Sequence, residues 1–210
     1  MSSPGAARPA AQPSGDGAGG EGDDVLSAAR AGDHAAFSHL YRETQPRLLR
    51  YAVSLVGQEA EDVTAEAWLQ IARDLPRFTG DMMGFRGWSA TIVRNRAFDL
   101  LRAQQRRPTT PLEEALLDRP SEQDTAVVAS DNLGTAAALR LIATLPPDQA
   151  EAVLLRTVMG LDAPTAAHIL GKRPGAVRVA AHRGLKALGR VLDADRAGRV
   201  DAADQPVSDV

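Results

Sequence analysis

The chain has 210 residues, 44% of them hydrophobic, and a formal net charge of -3. That length allows one or two compact units, and the patterning along it favours two small domains. No cysteine is present, which excludes disulfides, thiolate metal sites and cysteine nucleophiles and demands no oxidising compartment.

Residues 1–24 contain one arginine, no apolar run and much Gly, Ala, Pro and Ser. They fit neither a signal peptide nor a membrane span and are expected to be disordered, so a cytoplasmic location is the default. From Val25 to Gln105 the chain reads as helix, punctuated by Gly32, Gly57 and the cluster Thr79, Gly80, Asp81, without an alternating strand pattern. Asp33 is placed to cap a helix over His34–Val56, with Phe37, Leu40, Tyr41, Leu48 and Tyr51 as core and Pro46 as a source of a kink. A second helix over Glu59–Leu75 spaces Val63, Ala67, Ile71 and Leu75 four apart and stops at Pro76.

The segment Phe85 to Arg107 sets Trp88 beside six arginines and a single acid, Asp99. Trp88, Ile92, Phe98 and Leu101 recur near the helical period, while Arg94, Arg102, Arg106 and Arg107 fall off that stripe. One face of such a helix packs and the other suits a polyanion.

Pro108, Pro111 and Pro120, interleaved with acids, mark residues 108–130 as a linker. A second domain is expected over 131–192, with helices near Asn132–Thr144, Pro147–Met159, Ala163–Leu170 and Pro174–Leu192, followed by an acidic, disordered tail over 193–210. Charge is segregated: residues 108–132 hold six acids against Arg119, whereas 172–190 hold Lys172, Arg173, Arg178, Arg183, Lys186 and Arg190 against no acid. Between Asp162 and Leu188 an N-cap, a terminating Gly171 and an opening Pro174 give the spacing of a helix-turn-helix. Ala166, Ile169, Leu170, Val177, Ala181, Leu185 and Leu188 would form its core, leaving Arg178, His182, Arg183 and Lys186 for the major groove and its phosphates. A small helical bundle with a solvated basic face is the plainer alternative for the same residues. His182 suits a phosphate contact better than base readout. His34, His39 and His168 lack carboxylate partners at ligand spacing, and no Walker loop, serine elbow or dinucleotide fingerprint occurs, so neither metal nor cofactor is expected.

Three strings in order, AEDVTAEAWLQIARDLPRF, FRGWSATIVRNRAFDLLR and LPPDQAEAVLLRTVMGLDAPTAAHILGKRPGAVRVAAHRGLKAL, resemble the extracytoplasmic-function class of bacterial RNA polymerase sigma factors. The resemblance covers about residues 33–192. It implies an all-α fold of two small helical domains, a sigma-2-like unit over 25–107 and a helix-turn-helix sigma-4-like unit over 131–192, joined by a flexible acidic linker. It also implies a non-enzymatic protein that binds core polymerase, directs it to promoters and helps melt the minus-ten element. Asp62, Glu66 and Gln70 would touch the clamp helices of the largest catalytic subunit, and the flap of the second-largest subunit is a further partner surface.

The same resemblance makes the loop Thr79 to Gly84 the one that captures a flipped minus-ten base, with Thr79, Asp81 and Met82 as contacts and Met82 and Met83 as candidate pocket walls. Arg94, Arg96 and Arg102 would grip phosphates, and Asn95 would read or hold the non-template strand. Trp88 fits scaffold before base stacking, and Phe85 and Phe98 fit core. Lys172, Arg173, Arg178, His182, Arg183 and Lys186 would meet the minus-thirty-five duplex. Ala65 departs from the usual glutamine, which weakens one expected polymerase contact, and Val179 and Ala180 depart from the usual serine and arginine of the recognition helix, which shifts the burden of readout to Arg178, His182 and Arg183. Many relatives are held by an anti-sigma partner; membrane insertion is not expected.

Two rival readings differ in kind. A conventional helix-turn-helix regulator, binding DNA as a dimer, explains residues 131–192 equally well but not the basic block with Trp88 and Asn95. An enzyme acting on nucleic acid would need a third metal ligand beside Asp62 and Glu66, and the sequence offers none nearby.

Overall fold

The Asp33 carboxylate accepts hydrogen bonds from the Ala35 and Ala36 amides at 2.8 and 2.9 Å, and a long helix follows from that cap. The computed structural model describes residues 17–106 and 132–203, with side chains over 20–106 and 134–194. Its first four helices are α1 (Gly17–Arg30), α2 (His34–Val56), α3 (Ala60–Asp74) and α4 (Met82–Arg106), with single 3-10 turns at Gly57–Glu59 and Leu75–Arg77. Four more follow: α5 (Asn132–Ala143), α6 (Pro147–Val153), α7 (Ala163–Leu170) and α8 (Pro174–Ala203). Among the described residues there is no strand, and the fold is all-α, in two helical domains. The expected linker 108–130 lies outside the described residues.

Helix α1 begins at Gly17, inside the stretch expected to be disordered. Its glycines disfavour helix locally, but Leu26 and Ala29 are buried and α1 packs along α2. Tertiary burial outweighs local propensity here, as it does for most short helices in proteins. In α2, Leu40, Leu48 and Tyr51 are fully buried, and Pro46 sits inside an uninterrupted helix. Tyr41, expected in the core, is 41% exposed and instead lies tilted against Trp68 at 4.8 Å. Helix α3 buries Val63, Ala67 and Ile71, with Leu75 just beyond its end, as their spacing of four requires. It also buries Trp68, whose indole N–H donates to Gln45 Oε1 at 2.6 Å.

The second domain is built around α8. Asp162 Oδ1 accepts from the Thr165 amide at 2.8 Å and opens α7, and Gly171 closes it in the left-handed conformation. The Gly171 amide bonds back to His168 O and the Lys172 amide to Ala167 O, so the turn pairs two of the four carbonyls that the end of α7 leaves without intrahelical partners. Helix α6 widens into a π-type turn over Leu154–Val158, which buries Leu154 and Leu155. Val177 and Ala181 of α8 are buried, but Leu185, expected beside them, is 48% exposed. Gly184 takes the inward position: a Cβ there would stand 2.7 Å from Val153 Cγ2 and 3.2 Å from Leu145 Cδ1. The absent side chain lets α8 lie closer to α6 than the apolar periodicity suggests. Helix α8 continues to Ala203, eleven residues into the expected disordered tail.

The domains touch. Gly87 of α4 abuts Thr165 of α7 so closely that a Cβ would overlap Thr165 Cγ2. The Arg94 guanidinium reaches Glu151 Oε1 of α6 at 3.2 Å, with both side chains about three-quarters buried.

Candidate polymerase and nucleic-acid interfaces

Helix α3 presents one face to the core and the opposite one to solvent. Asp62, Ala65, Glu66 and Leu69 lie on the solvent side, and Leu69 at 74% exposure is an apolar side chain amid carboxylates. The helical rise places Asp62, Glu66 and Gln70 one turn apart along this face. Two of these three are already engaged: Arg96 of α4 donates to Glu66 Oε2 and to Gln70 Oε1, each at 3.2 Å. The expected polymerase face and the expected DNA face therefore meet at Arg96, a junction that spacing within either helix cannot reveal.

The loop preceding α4 is shorter than Thr79 to Gly84. Met82, Met83 and Gly84 form the first helical turn, and only Thr79, Gly80 and Asp81 remain outside it. Asp81 Oδ1 accepts the Gly84 amide at 2.7 Å, an N-cap that turns these residues inward. Met82 is 8% exposed and packs against Gly22 of α1, so its side chain is enclosed rather than offered to a ligand. Thr79 and Asp81 stay exposed. Behind the loop, Phe78 stacks on Trp88 at 5.0 Å, and Phe85 closes an aromatic trio at 6.0 Å from each ring. Trp88 is thus held between two rings, the arrangement expected of scaffold. Phe85 is fully buried, whereas Phe98, expected in the core, is half-buried and lies under the Arg94 guanidinium at 4.5 Å.

Arg94 is fixed from two sides, by the Phe98 ring and by Glu151. Beneath this pair the Tyr51 hydroxyl is held above its ordinary pKa, first by burial and then by the Glu151 charge, with Arg94 opposing. Asn95 is exposed, and Arg102 is exposed with Asp99 at 3.3 Å, a contact worth little in solvent. Of the four polar residues expected on this strip, Asn95 and Arg102 face solvent openly, while Arg94 and Arg96 are tied to neighbouring elements.

On α8, Arg178, His182, Arg183 and Lys186 share the exposed side, with Val179 half-exposed among them. Arg173 is exposed in the turn before the helix, and Lys172 Nζ pairs with Asp148 Oδ1 at 2.6 Å. Helix α7 crosses behind α8 and supplies Ala166 and Ala167 to the shared core, so α8 has the position of the second helix of a helix-turn-helix. Sequence reasoning missed Glu151, Gln45 and Asp23. Each acts across elements far apart in the chain, and no local signal marks them.

Two family matches fall on the two domains that carry these surfaces. The sigma-70 region 2 family matches residues 40–107 and the sigma-70 region 4 family residues 135–188. The ECF RNA polymerase sigma factor BldN of Streptomyces coelicolor is 31% identical over 174 residues, covering 82% of this chain and 66% of that protein. ShbA of Streptomyces griseus, also an ECF RNA polymerase sigma factor, is 32% identical over 170 residues, covering 75% and 87%. SigM of Mycobacterium tuberculosis is 30% identical over 173 residues, covering 80% and 83%. In fold, the chain is similar to CnrH in complex with the cytosolic domain of CnrY, with a TM-score of 0.57 at 22% identity over 83% of this chain and 98% of that one. It is similar too to the sigma factor RpoE bound to the anti-sigma factor NepR from Bartonella quintana, at 0.53 and 20% over 76% and 98%. With both regions matched in order and relatives of this coverage, the chain belongs to the extracytoplasmic-function group of the sigma-70 family of RNA polymerase sigma factors.

Proposed function

We infer that this sigma factor binds core RNA polymerase, directs it to specific promoters and helps open the minus-ten element, acting in the cytoplasm and without catalytic chemistry of its own. The observation that carries this reading is the ordered pair of region 2 and region 4 matches on two separate helical domains. Binding energy rather than bond-making is then its contribution, divided between a strand-holding domain and a duplex-reading one.

In this reading the exposed face of α3, with Asp62, Glu66, Gln70 and the bare Leu69, docks on the clamp helices of the polymerase. Loop residues Thr79 and Asp81, with Asn95 and Arg102 along α4, hold the melted non-template strand. Arg94 and Arg96 join them once their present partners release them, and Met82 shapes the loop from below. Arg173, Arg178, His182, Arg183 and Lys186 meet the minus-thirty-five duplex, Lys172 exchanging Asp148 for phosphate. The dimeric regulator is the weaker reading, because it leaves the region 2 match unused.

An anti-sigma factor is part of the proposal. RpoE is bound to one in its solved complex, and the two-domain fold is shared with this chain. No helix among the described residues is long and apolar enough to cross a membrane.

Run-off transcription with purified core polymerase, with and without this protein, tests the reading. Promoter-directed transcripts that depend on the added protein are expected. Their absence on every genomic template would overturn it, and tight promoter binding by the protein alone as a dimer would favour the regulator.

A further inference from the structure

We propose that Asp23, on a helix outside the matched family regions, is a positioning residue for minus-ten readout: it anchors one end of the loop Thr79 to Asp81. The proposal rests on the sigma-factor reading above and adds to it a residue that lies 17 positions before the region 2 match begins.

The argument starts at the first turn of α4. A helix leaves its first amides without intrahelical partners, and these are served by whatever acceptors stand nearby. Asp81 takes the Gly84 amide, as a local cap does. The Met82 amide is taken by a residue 59 positions earlier in the chain, Asp23 Oδ1, at 2.7 Å. Burial of Leu26 and Ala29 against α2 sets the rotation of α1, and Asp23, three residues before Leu26, is thereby turned toward α4. Gly22 adds close packing: a Cβ on it would stand 3.6 Å from Met82 Cγ and Cε. The negative carboxylates of Asp23 and Asp81 also suit the positive end of the α4 dipole.

The other end of the loop is fixed differently. Phe78 stacks on Trp88, and its ring lies so near Gly80 that a Cβ there would stand 2.9 Å away. Three residues thus hang between an aromatic anchor at Phe78 and a hydrogen-bonded anchor at Met82. A loop held at both ends has little freedom left to lose when it closes on an extruded base, and binding that needs less ordering is both tighter and more selective. Releasing the Met82 end restores that freedom. Discrimination among bases should fall before overall promoter use does.

The test uses the full chain with core polymerase, transcribing a promoter library randomised across the minus-ten element with the minus-thirty-five element held constant. Asp23→Ala is expected to narrow the ratio between preferred and disfavoured minus-ten sequences by about fivefold, the equivalent of one lost helix cap. Asp23→Asn, which keeps an oxygen acceptor at the same place, should retain the wild-type spectrum. A second library, randomised at the minus-thirty-five element, should give the same spectrum for all three proteins. An unchanged minus-ten spectrum in Asp23→Ala, a uniform loss across all promoters, or an equal collapse in Asp23→Asn would each overturn the positioning role. Failure of the unaltered protein to direct any promoter-specific transcript would instead sink the sigma-factor reading, and this proposal with it.

Discussion

Replacing Gly184 with alanine tests how α8 is seated. The added methyl would stand 2.7 Å from Val153 Cγ2, 3.2 Å from Leu145 Cδ1 and 3.4 Å from Gln149 Cβ, against an ordinary carbon separation of about 3.5–4.0 Å. Val153 is 1% exposed and β-branched, so it cannot swing aside as a long flexible side chain would. Relief must come from a shift of α8 on α6, and overpacking of this kind costs about 1–3 kcal/mol. For a domain of this size each kcal/mol lowers the melting temperature by about 4–8 °C. Trp88 lines a cleft with Thr165, His168 and Ile169 of α7 and so senses both domains; in a Trp88→Phe background the fluorescence of Trp68, packed on Phe37 and Tyr41, follows the first bundle, while far-UV circular dichroism follows every helix. Gly184→Ala should advance a dichroism transition and leave the fluorescence transition in place. Adding Val153→Ala should cancel part of the loss, giving a coupling of opposite sign to the two single effects. Equal melting of wild type and Gly184→Ala, or strict additivity with Val153→Ala, would refute the packing account.

Two further outcomes follow from other contacts. Gly87→Ala drives a methyl into Thr165 across the domain boundary, which should raise the population with separated domains about 5- to 150-fold for about 1–3 kcal/mol of overlap. Because the chain has no cysteine, dyes on Ser38→Cys and Arg190→Cys would report it as lower energy transfer, reversed by Thr165→Ala. The Asp162 carboxyl is held below its ordinary pKa chiefly by its hydrogen bonds with Thr165. A depressed carboxyl stabilises above its unfolded value, near 3.9, and loses that contribution as pH falls through the folded value. Asp162→Ala should accordingly destabilise the second domain by about 1 kcal/mol at neutral pH, and denaturant melts of the two proteins should begin to converge only as pH falls below about 4.

Where each layer of structure could be read depended on how local its cause is. The cap at Asp33, the four-residue rhythm of Val63, Ala67 and Ile71, and the Gly171 turn all act within one or two helical turns, and each appears at the expected place. Leu185 and Tyr41 failed because helical period alone does not say which face a neighbour will cover: Gly184 permits close approach on one side, and Trp68 offers a surface ring on the other. Phe98 failed for a related reason, since an aromatic ring beside arginine has a use outside the core. The ends of α1 and α8 extended beyond expectation, and for α1 the cause is burial against α2 rather than composition. Among the expected contact residues, Asp62 and Asn95, which the family resemblance singled out, and Arg183, which the helical pattern leaves outside the core, all lie exposed. What pattern could not show was which of the arginines were already spoken for, because Glu151 and Glu66 come from other elements.

The contact of Arg96 with Glu66 and Gln70 couples events at the two faces of the first domain. Any ligand that engages the Glu66 carboxylate from outside loosens its hold on the guanidinium and leaves Arg96 freer to take a phosphate. Thermodynamic linkage makes the effect mutual: a phosphate on Arg96 returns the carboxylate to whatever docks on α3. The pair is solvent-exposed, at 39% and 62%, so the cooperative free energy is small, about 0.2–1 kcal/mol. Even that favours joint occupancy of the two faces over occupancy of either alone and, being mutual, sets no order between them.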